Sequence, residues 1–166
     1  MDPNGILINM IKNGHFTKVE NFRDRFRLDS KEKRIQFIFN KDIYHNSIKY
    51  SFYRTMVMTG KHKDCLDFLL EGIDDDGIIV SHIVTLVSHL EMYEDDTYVK
   101  KYIDKVEDLE SSNITLFGIK SQWKLLEYLC EVGNYDLVLY VLDLGANKVE
   151  PKSSYRNDIK ELLITY

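Results

Sequence analysis

A run of three aspartates between glycines, Gly72-Ile73-Asp74-Asp75-Asp76-Gly77, brings a calcium-binding loop to mind. With Gly77 set on the glycine position of a calcium-binding loop, Asp74 and Asp76 fall on ligand positions and Ile79 on the usual apolar one. The first ligand would then be Gly72 and the bidentate twelfth Ile83. Neither side chain offers an oxygen, so the run reads as a solvent-exposed turn that aspartate and glycine favour for backbone reasons. Zinc needs four converging nitrogen or sulfur ligands, usually in paired short spacings. His62 and Cys65 stand three apart and His82 and His89 seven apart, with no second short pair to complete a set. A glycine-rich phosphate loop, a Gly-x-Ser-x-Gly elbow and a His-Glu-x-x-His helix are all absent from the sequence, and with them the common local signatures of catalysis. The expectation is a protein with no catalytic residue, no cofactor and no metal. One enzymatic arrangement stays open, a site assembled at a distance from His82, His89 and Cys130, which would require a cleft and a perturbed thiol.

Recognition is the chemistry that the remaining residues suit. Residues 1–50 hold 10 Lys/Arg against 6 Asp/Glu, whereas residues 71–110 hold 3 against 12, a balance of +4 followed by one of −9. An acidic middle argues against nucleic-acid binding, which needs cations along phosphates. It suits a basic protein partner, whose association such a field accelerates. The candidate partner-binding carboxylates are Asp74, Asp75 and Asp76 in one run and Glu94, Asp95 and Asp96 in the next. The chain also carries eleven Tyr, eight Phe and one Trp, and Tyr, Trp and Arg contribute disproportionately at interfaces. Tyr53 and Trp123 are the aromatic anchors expected beside the carboxylates, although most of the other aromatics should fill core.

These residues need a scaffold, and bulk composition bounds it. A chain of 166 residues is about one domain, able to bury roughly two-thirds of the surface it exposes when unfolded. Its 44% hydrophobic and 30% charged residues are ordinary for a globular protein. No apolar run is long enough to cross a membrane, and Met-Asp-Pro-Asn has no basic region of the kind that opens a signal peptide. Cys65 and Cys130 sit in apolar helical patterns and are expected as buried thiols. Together these features predict a cytoplasmic protein in a reducing compartment, a monomer or weak oligomer without a membrane partner.

Self-similarity organises the scaffold. Gly60-Lys-His-Lys-Asp-Cys-Leu-Asp-Phe-Leu-Leu-Glu-Gly72 aligns without gaps on Gly133-Asn-Tyr-Asp-Leu-Val-Leu-Tyr-Val-Leu-Asp-Leu-Gly145. A third copy runs from Gly14 to Phe26, and a weaker fourth from Glu94 to Val106 with both glycines replaced. Five residues after each anchor stand Val19, Cys65, Val99 and Val138; eight after stand Phe22, Phe68, Tyr102 and Val141. Positions three apart share one helical face, so each copy buries the same edge. Upstream of each anchor lies another stretch of helical apolar spacing: Ile6–Ile11, Phe52–Met58, Ile83–Leu90 and Trp123–Cys130. A glycine shortly after such a helix suits a left-handed C-terminal cap. The pattern is therefore helix, turn, helix, loop, four times, with Tyr155–Tyr166 as a closing helix. Asp29–Asn40 is read as an inserted helix, opened by Asp29 with Glu32, although Ile35–Phe39 alternates as a strand would.

Residues 133–146, Gly-Asn-Tyr-Asp-Leu-Val-Leu-Tyr-Val-Leu-Asp-Leu-Gly-Ala, resemble the second helix and following Gly-Ala of an ankyrin repeat. Met10-Ile-Lys-Asn-Gly-His-Phe16 is similar to that family's helix-turn-helix junction; of the anchor spacings of 46, 34 and 39 residues, the second is close to its period near 33, and 34 also suits tetratricopeptide repeats. The chain departs from the family in lacking any Thr-Pro-Leu-His and in the long segment Arg27–Lys49, so the array is degenerate, and its richness in Ile, Lys, Asn and Tyr makes it similar to the divergent ankyrin proteins of large DNA viruses. The resemblance implies an all-α fold: a short α-solenoid of about four degenerate ankyrin-like helix-turn-helix repeats, with units at about 4–27, 48–76, 80–110 and 119–148, and a capping helix at 154–166. It also implies a single domain that binds a protein, such as a viral factor that sequesters a host protein. The rival expectation is a compact helical bundle that grips an amphipathic partner helix.

Overall fold

The computed structural model describes residues 3–39, 52–114 and 122–166. The described residues form ten α-helices and no strand: α1 (Pro3–Lys12), α2 (Val19–Phe26), α3 (Lys31–Phe39), α4 (Phe52–Thr59), α5 (Lys63–Leu70), α6 (Asp76–Ser88), α7 (Thr97–Ile103), α8 (Leu125–Val132), α9 (Tyr135–Asp143) and α10 (Asn157–Thr165). The expected helix pairs correspond to α1 with α2, α4 with α5, α6 with α7 and α8 with α9. The closing helix is α10, and Asp29–Asn40 contains α3 rather than a strand, its first turn capped by the Ser30 hydroxyl accepting from the Lys33 N–H at 3.2 Å. Residues 40–49 of the long Arg27–Lys49 segment lie outside the described residues.

Most of the stripe that identified the copies is buried: Phe22, Cys65, Val99, Tyr102, Val138 and Val141 lie in the core, and Val19 and Phe68 are partly buried against it. In α5 the buried residues are Cys65, Leu66, Leu69 and Leu70, and in α9 Leu137, Val138, Val141 and Leu142, with Cys65 aligned on Val138 and Leu69 on Leu142. Gly60 and Gly133 end α4 and α8 at φ +67° and +79°, a conformation that L side chains resist. At Gly60 space is a second constraint, because a Cβ there would collide with the Met92 carbonyl oxygen. Where Glu94 replaces the anchor glycine, a 3₁₀ turn over Leu90–Met92 makes the connection. Tyr93 then donates its hydroxyl to the Val57 carbonyl at 2.9 Å and ties this turn to α4.

The first helices pack in chain order, α1 on α4, α4 on α6 and α6 on α8, while α2 packs on α5 and α10 closes on α9. The inserted α3 lies against α4 and α5. All ten residues from Ile78 to Val87 are buried, so α6 has no solvated face and forms the centre of the core. It also corrects the sequence reading, which began this helix at Ile83. Asp75 accepts hydrogen bonds from the N–H groups of Gly77 at 2.9 Å and Ile78 at 3.4 Å, capping a helix that starts seven residues earlier. No helix among the described residues is long and apolar enough to cross a membrane.

Candidate functional site

The Asp74–Asp76 run is mostly committed to the fold. Asp75 is the α6 cap, and Asp76 accepts from the backbone N–H groups of Glu107 at 3.1 Å and Asp108 at 2.8 Å, pinning the loop after α7. Asp74 has its side chain 93% exposed, with Lys31 3.8 Å away. Of the three carboxylates expected to bind a partner, two hold backbone N–H groups and the third pairs with Lys31. Glu110 repeats the device one loop further on, accepting from the Asn147 N–H at 3.0 Å. In both cases a carboxylate at one loop tip holds the backbone of the next, and this local need explains part of the acidic excess.

The second run is placed differently. Asp95 accepts from the Thr97 N–H at 2.9 Å and Asp96 pairs with Lys100 at 3.3 Å, so both shape the start of α7. Glu91 and Glu94 are exposed, and among the described residues neither side chain forms a hydrogen bond or ion pair, although the Glu91 charge acts on His89. Together with Asp136 at the start of α9, these residues line a hollow of about 420 Å³. Leu90, Asn134 and Asp136 carry it on into a second hollow of about 600 Å³ between Val132 and Arg156. Val132, 47% exposed, lines the second hollow. The arrangement is an acidic furrow with apolar steps along the helix-to-helix turns, able to take a cationic segment with apolar side chains.

Tyr53 was expected as an exposed anchor and lies in the core instead, at 2% exposure. The Tyr53 hydroxyl meets His82 Nδ1 at 2.6 Å inside the protein. Burial pushes the Tyr53 hydroxyl pKa well above its ordinary value and pulls His82 down to about 3, so both stay neutral. His82 Nε2 is buried without a hydrogen-bond partner, and the imidazole sits edge-on to the Tyr102 ring at 4.5 Å. Trp123 precedes α8 rather than lying on it. Its half-buried ring packs at 6.1 Å on Tyr128, while its carbonyl accepts from the Asn113 N–H at 2.9 Å and its own N–H donates to the Asn113 side chain.

Sequence reading missed a third group. Asp67 on α5 accepts from the hydroxyls of Tyr98 at 2.8 Å and Tyr102 on α7, and from Lys101 Nζ at 2.8 Å. Burial raises the Asp67 pKa, but those bonds outweigh it and hold the carboxyl below its usual range. The same contact recurs along the chain: Tyr140 on α9 donates to Asp104 at 2.5 Å, and Tyr166 donates to Asp143 at 2.6 Å. Lys101 and Lys105 lie over the Tyr102 ring and Lys100 over the Tyr140 ring, 4.9–5.4 Å from the centroids. The signal was present in the copies, where Tyr102 and Tyr140 stand eight and seven residues after their anchors. It could be read only with the neighbouring helix in view.

The thiols offer little reactivity. Burial pushes Cys65 up to about 12 and Cys130 up to about 11, and the Cys65 thiol donates to the Phe16 carbonyl at 3.1 Å. No group of three or more His, Cys, Asp or Glu side chains among the described residues could hold a metal. Comparison of the chain with protein-family models, with curated proteins and with solved structures finds no match.

Proposed function

We propose that this chain is a non-enzymatic protein-interaction module, a short α-solenoid of degenerate ankyrin-like units that binds a basic segment of a partner protein along its acidic furrow. The solenoid reading is supported by the order of packing, in which each first helix meets the next, and by the tyrosine–carboxylate contact that recurs from α5 to α10. Stacked helix pairs present an extended surface rather than an enclosed pocket, which suits recognition of a protein segment. The observation that carries the binding reading is the pair Glu91 and Glu94, exposed in a hollow that continues past Leu90 to Val132 and free of hydrogen bonds and ion pairs among the described residues. Carboxylates already serving as caps and loop pins would have to break protein contacts in order to bind.

The test is binding of a lysine-rich amphipathic peptide, followed by calorimetry at low and moderate salt. Glu91→Lys with Glu94→Lys should abolish saturable binding while helicity stays unchanged, whereas Asp74→Lys should weaken it only slightly. Equal loss from both variants would point to a diffuse charge effect and remove the furrow as the site.

A further inference from the structure

The opposite charge gathers at the other end of the molecule. An open cleft of about 650 Å³ lies among α1, α2, α3 and α4, floored by Leu7, Phe26, Phe37 and Phe52. Phe26 meets Phe37 edge-on at 5.1 Å, and Phe37 stacks on Phe52 at 6.1 Å, so the floor is one rigid aromatic cluster. Arg25, Arg27 and Lys33 form a cationic rim. Lys33 is held by Asp29 at 2.9 Å, but Arg25 and Arg27 have no carboxylate partner among the described residues.

Arg27 is also the one non-glycine residue at positive φ among the described residues, at φ 56° and ψ 49°. Glycine occupies this conformation freely, while a side chain there crowds the following carbonyl. The guanidinium is thus set on the cleft rim at a position where the backbone alone would favour glycine.

We propose that this cleft docks a short acidic peptide segment carrying one large apolar side chain between carboxylates. The apolar side chain enters among Phe26, Phe37 and Phe52, and the flanking carboxylates pair with Arg25 and Arg27. Guanidinium groups bind carboxylates in a two-bond geometry, and a rigid apolar floor ringed by charge is the usual form of an interface anchor site. A nucleic acid fits less well, because two unpaired cations make no phosphate track and residues 71–110 are strongly acidic. This site is separate from the acidic furrow and does not depend on it.

The experiment is fluorescence anisotropy with a labelled Asp-Glu-Phe-Glu-Asp peptide, its Phe→Ala counterpart, a serine-substituted neutral counterpart and oligouridine. Saturable binding of the first peptide is expected, weakened about tenfold or more by loss of its Phe or its charges, a change of about 1.4 kcal/mol or more. Arg25→Ala and Arg27→Gly should each produce a similar loss. Arg27→Gly is the decisive variant, since it removes the guanidinium while easing the turn and should leave the melting temperature no lower. The Glu91→Lys, Glu94→Lys variant should bind the acidic peptide as wild type does, which keeps this result separate from that of the furrow. Unchanged affinity in Arg27→Gly, indifference to the peptide's Phe, or preference for oligouridine would each overturn the proposal.

Discussion

His82 stands at the middle of the most buried helix, where an imidazolium would have to lose its hydration without gaining a carboxylate contact. Its pKa falls to about 3 through burial, against about 6.5 in the unfolded chain. Below pH 6.5 the unfolded state therefore binds a proton that the native state refuses. The stability contributed by the neutral form is fully present above pH 6.5 and is lost as pH falls towards 3. One such group costs about 1.4 kcal/mol for each pH unit below 6.5. His62 and His89 are also lowered by burial and add to the loss with the same sign. Urea unfolding between pH 7 and pH 4.5 should show a steep decline, and His82→Gln should remove about one proton from its slope. An unchanged slope would mean that His82 is protonated in the native protein. The thiols provide a second check at this scale. With Cys65 and Cys130 raised to about 12 and 11, alkylation at pH 8 should proceed only through opening and accelerate sharply in denaturant. Sequence alone cannot separate Tyr53 from Trp123 in this respect. Both lie in aromatic helical patterns, and only the arrival of His82 from another helix, at 2.6 Å from the Tyr53 hydroxyl, shows which one is core.

Between elements, the turns carry specific constraints that single substitutions can separate. Gly60 and Gly72 share the left-handed conformation at φ +67° and +73°, but a Cβ at Gly60 collides with the Met92 backbone whereas one at Gly72 meets nothing within 4 Å. Gly72→Ala should cost only the conformational penalty of about 1–2 kcal/mol. Gly60→Ala should cost about 2 kcal/mol more, because the turn before α7 must move. Thermal melts of both variants test the difference, and equal costs would mean that the Met92 turn yields easily. The anchoring glycines, the helix pairs and the buried stripe were legible in the sequence because each is set by residues close together in the chain. The start of α6 was not, since Asp74-Asp75-Asp76-Gly77 satisfies turn chemistry and helix capping equally well. The choice between them is made at a distance. Asp76 finds the N–H groups of Glu107 and Asp108, and Gly77 lies so close to Ile114 that a Cβ would come within 2.9 Å of its side chain. The acidic furrow was half legible for the same reason: Glu94 was identified, but Glu91 and Asp136 join it only through packing.

Across the whole molecule, the order of packing makes a claim about cooperativity. If stability is a sum of units and nearest-neighbour interfaces, damage at one end should fade with distance along the stack. The C-terminal end is the place to test this. There α10 buries Ile159, Leu162 and Leu163 against α9, and Arg156 reaches back to donate to the Gly133 carbonyl at 2.6 Å. Deleting residues 151–166 exposes the far side of α9 and removes these three aliphatic side chains, a loss of roughly 4–9 kcal/mol if each contributes its full burial, together with the buried Tyr155 ring. Hydrogen exchange on the truncated chain should show α8 and α9 losing most of their protection. In α6 and α7 the loss should be smaller, and α1, α2, α4 and α5 should stay close to wild type. The Tyr98 and Tyr102 contacts with Asp67 on α5 should persist in such a chain, because neither partner touches the deleted helix. A compact bundle behaves otherwise. Its helices share one core, so removing α10 would lower protection everywhere by a similar factor and unfold all elements in a single transition. A graded profile supports stacked units, which can carry the acidic furrow near one end and the arginine-rimmed cleft near the other as separately tunable surfaces. A uniform one would make the two surfaces parts of a single folding unit, and substitutions in either would then change the stability of both.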